Sequence, residues 1–531
     1  MEPSTQYHSV HRALCIPELL KTIFLSLNDS SSNAKSARVC KKWSEIALDV
    51  LWEELNHDSH YRLFSILAPL KPEELVVGAS EPRRYVFTTS LTPVAWQRFD
   101  YYAPRVRGFV YQPRNETKPV HESVFQAMAL SRPQKPLLPN LRALAWYPVR
   151  PQDPQSFALL FMHEGIRELA VGLTFFGESA RIFAAYVVDR MSSLTSLTIR
   201  HRRGVREVEE VIMQLVKGLK ELNHIVVPMF HLTGAIAEAM SKLPRLQSVK
   251  YGLFNIPYNP TAEVFPFTPS FQVPIFPILY HLSMTVSLMD LSRLLHQGFP
   301  PPSLTRLALT VAEPEPSTKF LRSFLRLLST HCPLLRALYI SFRVPRYPTI
   351  PADPIVFRDL EPIFQFENLR SLTVVHPLSL VVSQSEIERI ALRWPLLEFL
   401  SLTNEPMRME GDDATLTLEA LIPLLQHCPN IGYIGLYLRA DDLPPNLTRL
   451  PQRGAKALTL ALFCSIVQDP ASVALILSRF SQTKVVISTS PQFKGRTYNV
   501  DEALLESRIS RWKEVERLLP LFTQARNEGA T

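Results

Sequence analysis

Between Ile16 and Leu27, apolar residues stand at positions 19, 20, 23, 24 and 27. That three- and four-residue spacing predicts a helix, and Pro17 falls where a first helical turn tolerates proline. A polar, serine-rich break follows from Asn28 to Asn33. Ala37, Cys40, Trp43, Ala47, Val50 and Leu51 then recur at helical steps and predict a second amphipathic helix. A helical unit of about forty residues buries little surface, so this one is expected to lean on a partner or on the next domain.

Farther along, the pattern changes to a repeated L-x-x-L-x-L spacing. Copies start at Val106, Leu141, Ile166, Leu194, Leu222, Leu246, Leu279, Leu304, Leu335, Leu369, Leu397 and Ile431, with poorer ones near Ala455 and Gln482. The mean step is about 29 residues, at the long end of the leucine-rich-repeat range. Amphipathic helices fall between copies, with apolar faces over Val205–Leu219, Phe320–Leu328 and Leu418–Leu425. One strand–helix unit cannot cover its own apolar face, whereas stacked neighbours can. The expected fold is therefore α/β, a small N-terminal helical module followed by an irregular leucine-rich-repeat solenoid, a horseshoe with parallel strands. The predicted boundaries are a helical module at 12–56, a connecting segment at 57–100 and a solenoid at 101–498. A capping helix at 499–522 is expected to carry Leu504, Leu505, Ile509, Trp512, Val515, Leu518 and Leu519.

The repeats explain an odd composition. The 531 residues include 45 prolines and only 16 glycines. Eight of the fourteen copies have proline two positions before their first apolar residue, where it ends the preceding helix and favours an extended approach to the strand. So few glycines argue against a fold built on phosphate-cradling loops. With 46% apolar and 20% charged residues the chain can build a sizeable core. Five scattered cysteines, Cys15, Cys40, Cys332, Cys428 and Cys464, do not form a disulfide framework. Met1 to Val10 lack the pattern of a signal peptide, and no stretch approaches 18 uninterrupted apolar residues. An intracellular chain, cytoplasmic or nuclear and without a membrane partner, is the expectation.

The N-terminal residues also carry a family likeness. Ile16-Pro17-Glu18-Leu19-Leu20, Ile23-Phe24, Val39-Cys40-Lys41-Lys42-Trp43 and Leu51-Trp52 together resemble an F-box, with Ile16 in place of the usual first leucine. Leu51-Trp52-Glu53-Glu54-Leu55, Ala95-Trp96-Gln97-Arg98-Phe99 and Tyr102 to Arg107 are similar to fungal, mushroom-type F-box proteins. The resemblance covers about the first 110 residues. It implies docking on a Skp-type adaptor through Ile16, Pro17, Leu19, Leu20, Ile23, Val39 and Trp43, and through it a place in a cullin–RING ubiquitin ligase. The solenoid would then be the substrate-recognition part, holding a protein substrate whose identity the sequence does not give. Alternatives are a scaffold that binds the adaptor without ubiquitination, or a basic solenoid for nucleic acid.

Candidate chemistry adds little to that picture. His331-Cys332-Pro333 and His427-Cys428-Pro429 occupy the slot that holds Phe366 or Trp394 in other copies, so the cysteines read as core packing rather than metal ligands. No phosphate-loop, dinucleotide, zinc-protease or nucleophile-elbow motif occurs, so neither an enzyme nor a cofactor is expected. Acidic pairs Glu209-Glu210, Asp412-Asp413 and Asp441-Asp442 read as solvated surface. The run Arg200-His201-Arg202-Arg203, with Arg206, lacks interleaved aromatics, which disfavours nucleic acid. The net charge is +8, with −2 over residues 1–60, so basicity belongs to the solenoid. Residues between the strand aliphatics are expected on the concave face. Tyr147, Arg200, Lys250, Tyr339, Arg343, Tyr433, Tyr437 and Arg439 are the candidate substrate contacts, tyrosine and arginine being enriched in binding cores.

Overall fold

The structure is a computed structural model. It describes residues 11–27, 29–56, 59–73, 83–148, 155–174, 177–252, 266–271, 275–301, 303–311, 318–342, 354–407, 414–440, 457–479, 485–488 and 502–528. Arg343, Asp412-Asp413, Asp441-Asp442 and Gln482 lie outside them. The chain divides into two units, Met1–Pro228 and Met229–Thr531.

The first unit opens with three helices, α1 (Pro17–Leu27), α2 (Ser30–Ser36) and α3 (Lys41–Glu53). Helix α2 occupies the polar stretch that reads as a break in the sequence. Its backbone is capped rather than packed: the Asp29 carboxylate accepts the amides of Ser31 (3.0 Å) and Ser32 (2.9 Å). Asn33 Nδ2 donates to Phe24 O (3.1 Å) and ties α2 to α1. Polar caps, invisible to hydrophobic periodicity, therefore make the helix.

Strands follow: β1 (Glu54–Leu55), the hairpin β2 (Leu70–Pro72) and β3 (Tyr85–Phe87), then β4 (Gly108–Tyr111), β5 (Ala143–Trp146), β6 (Glu168–Gly172), β7 (Ser196–Arg200) and β8 (His224–Pro228). Among the described residues of this unit, β1 and β4 to β8 form parallel pairs, whereas β2 and β3 pair antiparallel. The aliphatic slot of each copy is in register, Phe109 with Leu144, Leu169, Leu197 and Ile225, and all five are buried. Below them Tyr111 stacks on Trp146 (4.2 Å between ring centroids) beside Phe125. His60 Nε2 donates to Val110 O (2.7 Å), which anchors the connecting segment to β4.

The second unit repeats the scheme with β9 (Ser248–Gly252), β10 (His281–Val286), β11 (Arg306–Val311), β12 (Ala337–Ser341), β13 (Ser371–Val375), β14 (Phe399–Leu402), β15 (Tyr433–Leu436), β16 (Leu458–Ala461) and β17 (Val485–Ile487). All nine are parallel, in sequence order. Val249, Leu282, Leu307, Leu338, Leu372, Leu400, Ile434 and Leu460 share one register and are buried. Each unit is thus an α/β repeat stack of parallel strands, as the leucine spacing predicts.

A recurrent backbone contact fixes the stacking. The carbonyl just before a strand accepts two successive amides of the next copy. Arg107 O takes Arg142 N (2.8 Å) and Ala143 N (3.1 Å), and Thr305 O takes Arg336 N (2.8 Å) and Ala337 N (3.1 Å). Strand β1 lies outside the L-x-x-L-x-L pattern, yet Glu54 pairs with Gly108 and Leu55 with Phe109. The residues that end the helical module therefore begin the sheet.

Cys332 and Cys428 are buried, and burial pushes the Cys332 thiol up to about 12. Cys428 Sγ donates to Trp394 O (3.4 Å). Both sit where aromatic residues stand in neighbouring copies, as their register predicts. The C-terminal helix, Glu502–Glu528, extends beyond its expected end at 522. Trp512 is buried on it and donates to Ser465 O (3.0 Å).

One close approach gives a direct test of the packing. A Cβ at Gly218 would lie 2.5 Å from Val188 Cγ2 on the preceding helix, a side chain too stiff to step aside. Gly218→Ala should destabilise the chain by about 1–3 kcal/mol in denaturant unfolding despite the better helix propensity of alanine. Adding Val188→Ala should recover part of that loss.

Candidate functional site

Helix α1 carries two apolar stripes. Leu20 and Phe24, one turn apart, point inward and form a small core with Ala47, packed by Leu14, Ala37, Trp43, Ile46 and Val50. Phe24 meets Trp43 edge to face at 5.6 Å. The second stripe, Ile16, Leu19, Ile23 and Leu27, points to solvent with 44%, 46%, 39% and 46% exposure. Val39, in the turn before α3, is 62% exposed, and Pro17 is exposed beside Ile16. Four large aliphatics on one helix face, uncovered in so small a module, are the mark of an interaction surface.

The residues expected on that surface therefore divide. Ile16, Pro17, Leu19, Ile23 and Val39 are accessible. Leu20 is not: it is fully buried, because the module has too few core residues to spare it. Trp43 is half-buried, with its ring on Phe24.

Polar contacts bind the module to the residues after it. Tyr101 Oη donates to Glu45 Oε1 (2.7 Å), and the Arg105 guanidinium bonds the carboxylates of both Glu45 and Asp49. Lys21 Nζ reaches Glu53 at 3.3 Å. Lys21, Asp49, Glu53, Tyr101, Pro104, Arg105 and Arg107 line a polar hollow of about 310 Å³. The Tyr101 hydroxyl, and then Arg105, hold the Glu45 carboxyl below its usual range.

The strand candidates are scattered along the two units. Tyr147 is half-buried, and the Arg200 guanidinium lies 3.6 Å from its ring centroid. Gly172 pairs with Arg200 and follows the Val171–Trp146 pair on β6, the strand between them. Arg200 is thus taken from the basic run, and so is His201, buried with Nδ1 donating to Leu173 O (3.1 Å). The run is not one surface.

In the second unit Lys250 is exposed, and Tyr339, Tyr433 and Arg439 are half-buried. Tyr437 does not face solvent. It is 5% exposed, and its hydroxyl accepts from Arg508 Nη1 (2.9 Å) on the C-terminal helix, which covers that position. Arg343 lies outside the described residues.

Three further outward residues are absent from the candidate set. His281, Arg306 and Phe399 stand immediately before the second aliphatic of their copies, the slot that Tyr433 fills in its own. Phe399 stacks on Tyr433 with centroids 4.1 Å apart and planes 5° off parallel. Burial, and then the nearby Glu405 carboxyl, push the Tyr433 phenol up to about 12.

Among the described residues no group of three metal-ligating side chains occurs, and no helix is long and apolar enough to cross a membrane. No family model matches the chain, and no curated protein matches it. Among solved structures it is similar to a chain in the crystal structure of the Rad7 and Elc1 complex of yeast. The TM-score is 0.32 and the identity 12%, over 74% of this chain and 93% of that one. The fold described above rests on this chain's own strand register.

The Glu45 contacts carry a pH signature. A carboxyl depressed in the folded state stabilises above its unfolded value, near 4.3, and that stabilisation is lost as pH falls through the folded value. Wild type should therefore exceed Glu45→Gln in Tm at pH 7, and the difference should shrink as pH falls below the ordinary carboxyl value of about 4.3. The difference should correspond to at most about 1 kcal/mol, because the Glu45 side chain is 57% exposed and screened by solvent.

Proposed function

We propose that the chain is a substrate receptor of a Skp–cullin–F-box type ubiquitin ligase. The helical module, residues 12–56, docks on the Skp-type adaptor, and the repeat stack, residues 101–498, captures a protein substrate. The observation that carries this reading is the outward stripe Ile16, Leu19, Ile23 and Leu27, which the module's own core leaves uncovered. Three of its four residues, Ile16, Leu19 and Ile23, are among those through which the F-box resemblance implies docking. Holding a substrate beside a charged ubiquitin carrier raises its effective concentration, a rate gain that needs no catalytic group in the receptor itself. Ligases of this type act in the cytoplasm and nucleus, which is where the reading places the chain.

Surface and core residues separate docking from folding. Leu19→Asp combined with Ile23→Asp should leave Tm within about 1 °C of wild type, because neither side chain belongs to the core. The same pair should weaken adaptor co-purification more than about 30-fold, as expected when central apolar anchors are lost. Leu20→Ala should instead cost about 2–5 kcal/mol and melt the module, so it is a stability control. Undiminished adaptor capture by the double aspartate variant would overturn the assignment.

A further inference from the structure

The outward face of the second unit is polarised along its length. Lys250 on β9, His281 on β10 and Arg306 on β11 gather at one end. His281 pairs directly with Arg306 across the ladder, and Lys250 stands one rung along, opposite Ser283. Lys250 and Arg306 are exposed, and among the described residues the outward positions of β9 to β13 hold no carboxylate. Lys250 and Arg306 both lie close enough to act on His281. Burial, then Lys250, then Arg306 lower His281 to about 4, so its ring is neutral at pH 7. At the other end, on the rung that holds Arg306, Ala337 and Ser371 lead to the stacked pair Phe399 and Tyr433. The residues between are small, so the floor is low and a chain can lie across the strands. The buried Glu405 carboxyl acts on Tyr433 and makes the aromatic end unfavourable for an anion.

We infer that this face binds an extended acidic segment of a protein, its carboxylates on Lys250, His281 and Arg306 and an apolar or aromatic side chain on the Phe399–Tyr433 pair. The inference rests on the capture role proposed above for the repeat stack and gives it a substrate class. Register sets the spacing. Arg306 and Phe399 lie three strands apart, about 14 Å at ~4.8 Å per strand, and an extended chain covers that in about four residues at ~3.3 Å each. Nucleic acid fits less well: its backbone would carry phosphates from the basic end to the carboxyl-biased aromatic end, and the basic end offers two cations beside a neutral imidazole rather than a continuous stripe.

The test uses the full chain and fluorescein-labelled decapeptides that carry a Glu-Glu pair and one Phe placed two to seven residues away, in both orders. Affinity by anisotropy should peak with Phe four or five residues from the acidic pair, about tenfold or more above the peptide with Gly in its place. Lys250→Ala with Arg306→Ala should lower affinity at least tenfold for the Glu-Glu probe and leave a Gln-Gln probe unchanged. Phe399→Ala should flatten the dependence on Phe position. In a ring-carbon NMR titration, His281 should move above about 4 when the Glu-Glu probe binds, because the bound carboxylates oppose Lys250 and Arg306; the Ser283 hydroxyl, 3.4 Å from Nε2, is present in both states.

Equal affinity across the Phe series, or indifference to the Lys250 and Arg306 substitutions, would overturn the inference. So would a twelve-residue oligothymidine that displaces the peptide and tolerates Phe399→Ala, an outcome that would assign the face to nucleic acid. Adaptor capture is read in parallel. The strand variants should keep it, and the Leu19→Asp and Ile23→Asp variant should keep peptide binding, so the two readings fail separately.

Discussion

Everything in the repeat stack follows from an apolar face that no single copy can cover. A strand of four to six residues with one helix behind it leaves its leucines in water unless another copy lies alongside. The carbonyl that precedes most of these strands makes the stacking specific, because it takes two amides from the next copy and sets the register at the first residue. A slip of one residue would turn the whole leucine ladder outward. The ends of such a stack need separate treatment. In the first unit Glu54–Leu55 extends the ladder before β4, and in the second the C-terminal helix lays Trp512 and Arg508 over the carbonyls of Ser465 and Cys464.

The N-terminal module works under the opposite limit. Its core is three fully buried side chains with a rim of half-buried ones, so every inward position of α1 is committed. The aliphatics left over cannot be hidden and form a ridge. A free-standing module of this size would be marginal. Here α3 is held to the residues after it by Glu45, Tyr101, Arg105 and Asp49, while the ridge on α1 remains open. Attachment on one side and exposure on the other suit the docking role proposed above.

The outward strand positions carry the remaining chemistry, and they do so unevenly. In the first unit Arg200 lies on Tyr147, so two candidate contacts meet each other instead of a ligand. In the second unit the cationic and aromatic groups stand apart on successive strands, which allows a single extended chain to touch both. Specificity on such a face is a matter of spacing, since the rungs fix the distance between groups to multiples of about 4.8 Å.

Sequence alone determined the repeat: the leucine phase, the proline before the strand and the cysteines standing in for Trp394 and Phe366 all follow from the period of the chain, because burial in a stack repeats with it. It also determined that α1 and α3 are helices. What it could not determine was which apolar stripe of α1 turns inward, since Leu19, Leu20, Ile23 and Phe24 are equally apolar, and only packing against Ala47 and Trp43 separates them. Helix α2 escaped notice because its stability lies in the cap at Asp29 and the bond from Asn33. The fate of Tyr437 depended on a helix about seventy residues later in the chain, and the gathering of Lys250, His281 and Arg306 on the register between strands. Local pattern fixes what each segment is. Only the three-dimensional stacking brings distant segments together, and that decides which side chains remain free to bind.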